Sequence, residues 1–199
     1  MRAMLSGRGL HVAGSPVLRR VARAVDRAEI SALAPCIERM TNALRQHKGQ
    51  GIAAPQVGES VRLFLISRGD VRPPVAIINP QLLKRSRSQS IDWESCLSVP
   101  DYAALVARAD RIEVEYLNME GVTQHGVLSG NRARVFQHEM DHLDGILYTA
   151  RCIPSSISHV DELRSQSRRA TIESETLREV GRGGCSDGER SERMRRPDE

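Results

Sequence analysis

Residues 137–142, Gln-His-Glu-Met-Asp-His, constrain this chain more than any other stretch. From Arg132 to Leu143 the apolar positions follow helical spacing, and Asp144-Gly145 supplies a stop. On such a helix His138 and His142 stand four apart and share one face. Two imidazoles one turn apart can grip a single cation. Glu139, beside the first of them, is placed to take a proton from water that the ion activates. The fold must bring a third ligand to this helix and leave a fourth position open.

Three candidates compete for that third place. A histidine at the HExxHxxGxxH spacing would fall on Tyr148, which excludes it. Glu162 stands at about the distance used by zinc endopeptidases with a glutamate ligand. Cys96, within Trp93-Glu94-Ser95-Cys96-Leu97-Ser98, offers a soft thiolate from a loop between strands. Spacing alone does not choose between Glu162 and Cys96.

The 199 residues suit one ordinary domain with length to spare. Aromatic residues are only 3%, so the core must be built from Leu, Ile, Val and Ala. No apolar run reaches the roughly 18–20 residues of a membrane helix, so no membrane span is expected. Lys and Arg number 29 against 25 Asp and Glu, and the two signs are mixed, so a dedicated nucleic-acid surface is not expected. Four unevenly spaced cysteines do not form a secreted disulfide framework and point to a reducing compartment or a metal site. Met1–Gly14 lacks the apolar run of a signal peptide and carries only a faint arginine-rich, transit-like character.

Ile30, Leu33, Ile37, Met40 and Leu44 form a helical stripe ending near Lys48-Gly49. The stretch 49–58, rich in Gly and Ala, reads as irregular. Val61–Ile66 and Val75–Ile78 read as strands, the second closed by Asn79-Pro80, and Lys84–Ser90 as a surface loop. Glu94–Pro100 (ESCLSVP), Leu105-Val106 and Ile112–Tyr116 read as paired strands, and Asn118–Gly121 as a hairpin turn leading to Val122–Gln124. After Pro154 apolar residues thin out. The expectation is a catalytic unit over 1–160 and a polar tail over 161–199, helical between Leu163 and Val180 and disordered beyond Gly181.

Gly49–Gln56 (GQGIAAPQ), Glu94–Ser98 (ESCLS) and Gln137–His142 (QHEMDH) occur in this order. Together they resemble the three motifs of the peptide deformylase family, approximately GxGLAAxQ, EGCLS and QHExDH. Agreement extends to PVLR near the start, ALVARADRI after the second motif and HLDGILY after the third, about residues 10–151 in all. The resemblance implies an α+β fold, mostly antiparallel strands packed around a central helix that carries HExxH. It also implies removal of the N-formyl group from the formylmethionine of new polypeptides, with release of formate.

Carried over by position, the resemblance makes Cys96, His138 and His142 the metal ligands and Glu139 the general base. Gln56 and the Leu97 N–H would stabilise the oxyanion. Gly51, Gln50, Arg108 and Val135 would meet the substrate, and Glu94 would anchor its loop. One divalent ion is implied, Fe(2+) first and Zn(2+) second. The implied partners are N-formylmethionyl nascent chains, with transient ribosome docking. The implied setting is a bacterial cytoplasm, or alternatively an organelle. The tail, with nine arginines against ten acids from Asp161 on, is no basic anchor.

Two departures stand out. Ser95 replaces the glycine that precedes the cysteine, a strained substitution if that position needs positive φ. Gln50 replaces an aliphatic residue, whereas Ile52 for leucine is conservative. Besides the deformylase reading stand a catalytically impaired, peptide-binding relative and the zinc endopeptidase using Glu162.

Overall fold

The computed structural model describes residues 9–68 and 72–183. Two antiparallel sheets face a central helix. The larger sheet has strand order β1-β2-β3-β6-β7, from β1 (Gly51–Ala53), β2 (Leu63–Ile66), β3 (Val75–Arg85), β6 (Arg111–Leu117) and β7 (Thr123–Ser129). The smaller is β4 (Gln89–Cys96), β5 (Val99–Ala109) and β8 (Ser158–His159). The helices are α1 (Ala34–His47), α2 (Gly130–Leu143), α3 (Val160–Leu163) and α4 (Gln166–Gly183). The expected α+β architecture around the motif-bearing helix is what the structure has.

Helix α2 is amphipathic in an unusual sense, because both its faces are buried. Ala133, Phe136 and Leu143 pack with Phe64, Ile77, Ile112 and Val114 of the larger sheet. The Phe64 and Phe136 rings meet edge to face, 5.0 Å between centroids. That face holds the helix in place by apolar burial, at about 1.5–3 kcal/mol per large side chain. Arg134, Asp141 and His142 are buried towards the smaller sheet, and Glu139 against Gly51 of β1. Arg134 and Asp141 are paired there, with Glu94 and Arg108, as buried charges need to be. Gln137 fastens the helix to the end of β5: its amide accepts from the Ala109 N–H at 3.2 Å and donates to the Ala109 carbonyl at 3.0 Å. Gly145 ends the segment at φ 73°, and a Cβ there would lie 2.8 Å from the Arg19 backbone. Only glycine meets both demands.

Several sequence expectations need correction. The stripe from Ile30 is buried as expected apart from half-buried Ile37, but Arg27–Leu33 is a 3₁₀ segment and α1 begins only at Ala34. Pro35 has no N–H and cannot continue an i−4 ladder from the preceding turn. Stretch 49–58 contains a strand after all, since β1 pairs antiparallel with β2. The strand from Val75 does not close at Asn79-Pro80. Asn79 turns at φ 48°, and its side-chain amide exchanges two 2.8 Å hydrogen bonds with the Val25 backbone. The register shifts between Ile78 and Gln81, and β3 continues to Arg85. Lys84–Ser90 is therefore mostly strand, the end of β3 and the start of β4.

The tail segment forms α3 and then α4, which runs past Gly181 to Gly183. Helix α4 lies against β4, where the Trp93 indole N–H donates to Glu173 at 2.5 Å. The rest of the stretch expected to be disordered, and the first eight residues, lie outside the described residues. Among the described residues no helix is long and apolar enough to cross a membrane.

Candidate metal centre

Cys96 closes β4, and the register slips between Ser95 and Cys96, so the chain bends at the cysteine. Helix α2 presents His138 and His142 from consecutive turns. The result is one cluster: a ligand atom from each of Cys96, His138 and His142 lies within 4.8 Å of the other two. Cys96 Sγ is 3.2 Å from His142 Nε2. Burial works against a thiolate at Cys96, but His142 and His138 outweigh it and hold the thiol well below its ordinary value. A buried thiolate between two imidazoles is a donor set for one divalent ion of the Fe(2+) or Zn(2+) kind. The residues present fit such an ion.

Glu94 orients this cluster. Arg108 gives it Nε to Oε1 and Nη2 to Oε2, each at 2.9 Å, and Arg134 Nη1 adds a further bond at 2.9 Å. His138 Nδ1 meets Glu94 Oε2 at 2.9 Å. A carboxylate only accepts, so Nδ1 carries the hydrogen and Nε2 keeps its lone pair for the ion. Burial pushes the Glu94 carboxyl up, yet the hydrogen bonds from Arg108 and His138 prevail and bring it down to about 2. Arg108 reaches on to Asp141 at 2.5 Å, which also accepts from Arg151 Nε at 2.7 Å. Glu94 is thus the loop anchor that the sequence suggested.

Arg108 is not the substrate contact that was expected. Its guanidinium is buried and spent on Glu94 and Asp141, and it does not line the cleft. Glu162 is no ligand either: it is exposed and ion-paired with Arg168. This removes the geometric basis of the endopeptidase alternative.

The cleft, about 360 Å³, is lined by Gly51, Gln56, Leu97, Val135, His138 and Glu139 among others. Burial pushes the Glu139 carboxyl up to about 7, and its Oε2 is buried without a partner among the described residues. Gln56 is buried and fixed in one orientation. Its Oε1 accepts from the Ala53 N–H at 2.8 Å, which turns Nε2 towards Cys96 Sγ at 3.6 Å and Ser98 Oγ at 3.1 Å. Gln50 is exposed at the rim, where Asn131 Nδ2 donates to its Oε1 at 2.7 Å.

Gly51 has a role that spacing could not reveal. A Cβ there would lie 2.8 Å from Glu139 Cδ and closer still to Oε1. Gly51→Ala should therefore displace the carboxylate and lower kcat by about 10–100-fold with the melting temperature little changed. Steady-state kinetics beside thermal denaturation would check this. Ser95 raises no strain, because Lys48, Asn79 and Asp101 are the only described non-glycine residues at positive φ. Ser95→Gly should accordingly cost about 0.5–1 kcal/mol rather than stabilise, as urea unfolding would show.

Arg134, Asp141 and Ser98 were not singled out by the sequence reading. Arg134 lies four residues before His138, on the same helical face, and that spacing was the available signal. Asp141 sits inside the third motif itself.

Known proteins resemble this chain in sequence and fold. A model of the family described as polypeptide deformylase matches residues 8–157. The peptide deformylase of Thermotoga neapolitana is 42% identical over 146 residues, 73% of this chain and 87% of the relative. The peptide deformylase 2 of a Nostoc species is 38% identical over 157 residues, 75% of this chain and 87% of the relative. Among solved structures, the peptide deformylase of Thermotoga maritima superposes with a TM-score of 0.68 at 41% identity, covering 72% of this chain and 95% of that one. The Acinetobacter baumannii peptide deformylase bound to Met-Ala-Ser gives 0.67 at 34% identity, covering 71% and 97%. With the match running through β4 and α2, the elements that carry the cluster, this chain belongs to the polypeptide deformylase family.

Proposed function

We propose that the chain removes the formyl group from N-formylmethionyl peptides by hydrolysis, with residues 1–160 as the catalytic unit and 161–199 as an appended tail. The observation that carries this is the convergence of Cys96, His138 and His142 beside the unpartnered carboxylate oxygen of Glu139. In this reading Cys96 Sγ and the two imidazoles hold one divalent ion, Fe(2+) in the first place, with Zn(2+) accepted by the same donors. The ion, when bound, supplies a Lewis acid that lowers the pKa of water.

Glu139 takes the proton from the attacking water and later delivers it to the departing amine nitrogen. Gln56 Nε2 and the Leu97 N–H stabilise the oxyanion on the former formyl carbonyl. The bond broken is the formamide C–N bond, and formate and a free amine leave. Gly51 gives the Glu139 carboxylate its space, and Val135 contributes an apolar wall for the methionine side chain. Gln50 stands at the rim where the peptide passes.

The natural substrates are then nascent chains, which implies transient contact with the ribosome. A bacterial cytoplasm is the setting proposed, with an organelle as the alternative. The catalytically impaired reading loses its motive, because Ser95 is unstrained and Gln50 lies outside the cluster. The test is formate release from formyl-Met-Ala-Ser by iron-loaded protein, with metal analysis alongside. Turnover with one ion per chain is expected; a fully loaded protein with no turnover on any formyl-peptide would overturn the proposal.

A further inference from the structure

The cleft continues past Gln50 and Asn131. A second groove of about 560 Å³ adjoins it, and the two share Lys48, Gly49, Gln50, Asn131 and Val135. The described charged residues that line this groove all have one sign. Arg45 lies in the last turn of α1, Lys48 caps that helix, Arg68 follows β2, Arg72 precedes β3, and Arg132 lies in the first turn of α2. Among the described residues no carboxylate lines the groove.

Arg45, Lys48, Arg68 and Arg132 are exposed, and none of these four forms an ion pair with a described residue. By contrast Arg23, Arg39 and Arg62 each hold a carboxylate, from Glu29, Glu59 and Asp144. Arg45 and Lys48 also suit the negative end of the α1 dipole, but Arg132 stands at the positive end of α2, where a cation is unfavourable. Helix stability therefore does not explain its charge.

We propose that this groove receives acidic side chains of the substrate downstream of the formylated methionine, so that formyl-peptides carrying Asp or Glu there are preferred. The proposal rests on the deformylase reading of the cleft. A peptide held at the metal cluster and leaving across the Gln50–Asn131 bridge enters a space lined by five cations. Continuity with the cleft favours this occupant over RNA, which would have no reason to be joined to the formyl site.

The test compares formyl-Met tripeptides and tetrapeptides in matched pairs, Glu against Gln at each position after methionine. An exposed ion pair is worth up to about fivefold. At least one Glu peptide should show a kcat/KM about two- to fivefold above its Gln partner at ~20 mM salt, falling towards parity near ~0.5 M. The double variant Arg45→Glu, Arg132→Glu should bring that ratio to one or below, its rate on the Gln peptide serving as the reference for correct folding.

Equal rates on every pair at low salt, with the Gln peptides turned over normally, would overturn the inference and leave the deformylase reading intact. The same equality with ribosomal RNA retained by the wild type and released by the double variant would assign the groove to RNA instead. No formate from any peptide would remove the deformylase reading, and this inference with it.

Discussion

Glu139→Gln is expected to lower kcat for formyl-Met-Ala-Ser by about 10²–10⁴-fold while leaving the bound ion at one per chain. The amide keeps the size of the side chain and its place in the space that Gly51 leaves open. It cannot accept the proton, so the loss falls on the chemical step rather than on binding, and KM should stay within a few-fold. Metal content is the discriminating control. Glu139 is adjacent to a ligand but contributes no atom to the Cys96, His138, His142 cluster. A variant that loses both ion and activity would instead make Glu139 a structural support of the site. Stopped assays of formate, read beside metal analysis of the same sample, separate the two outcomes.

The second large effect is on stability. Arg108→Ala should destabilise the fold by roughly 3–5 kcal/mol, because it leaves Glu94 and Asp141 buried with fewer donors. Arg108→Lys should recover only part of this, since an ammonium cannot present two parallel N–H groups to Glu94. Urea unfolding measures both. A loss below about 1 kcal/mol would mean that Arg108 behaves as a solvated surface charge.

The same network carries a pH signature. Glu94 sits at about 2 against an ordinary 4.5. Its folded value is depressed, so its contribution is complete above about pH 4.5 and is lost as pH falls towards 2. In Arg108→Ala this acid limb should become shallower.

The site was legible in the sequence where its parts are local or ordered along the chain. His138, Glu139 and His142 declare themselves by helical spacing, and α2 starts and stops within two residues of its expected limits. Cys96 became readable only through the order of the three motifs, because no periodicity links it to a helix 42 residues later. Arg108 was misplaced for the same kind of reason. Its partners lie 14 and 33 residues away, and nothing in its own strand shows that the charge turns inward. Asn79 misled differently. Asn-Pro is a common end to a strand, but here the asparagine side chain is committed to the Val25 backbone 54 residues earlier, so the strand resumes after a bulge. Lys84–Ser90 reads as a loop because the end of β3 and the start of β4, which lie in different sheets, are both exposed, and polarity without a buried face hides strand pairing.

The account depends on one sulfur and two nitrogens meeting at one ion. X-ray absorption at the zinc edge of zinc-loaded protein tests this most directly. It should show a single sulfur neighbour at about 2.3 Å with nitrogen neighbours at about 2.0–2.1 Å, and the sulfur should vanish in Cys96→Ser. A first shell of nitrogen and oxygen alone in the wild-type protein would contradict it.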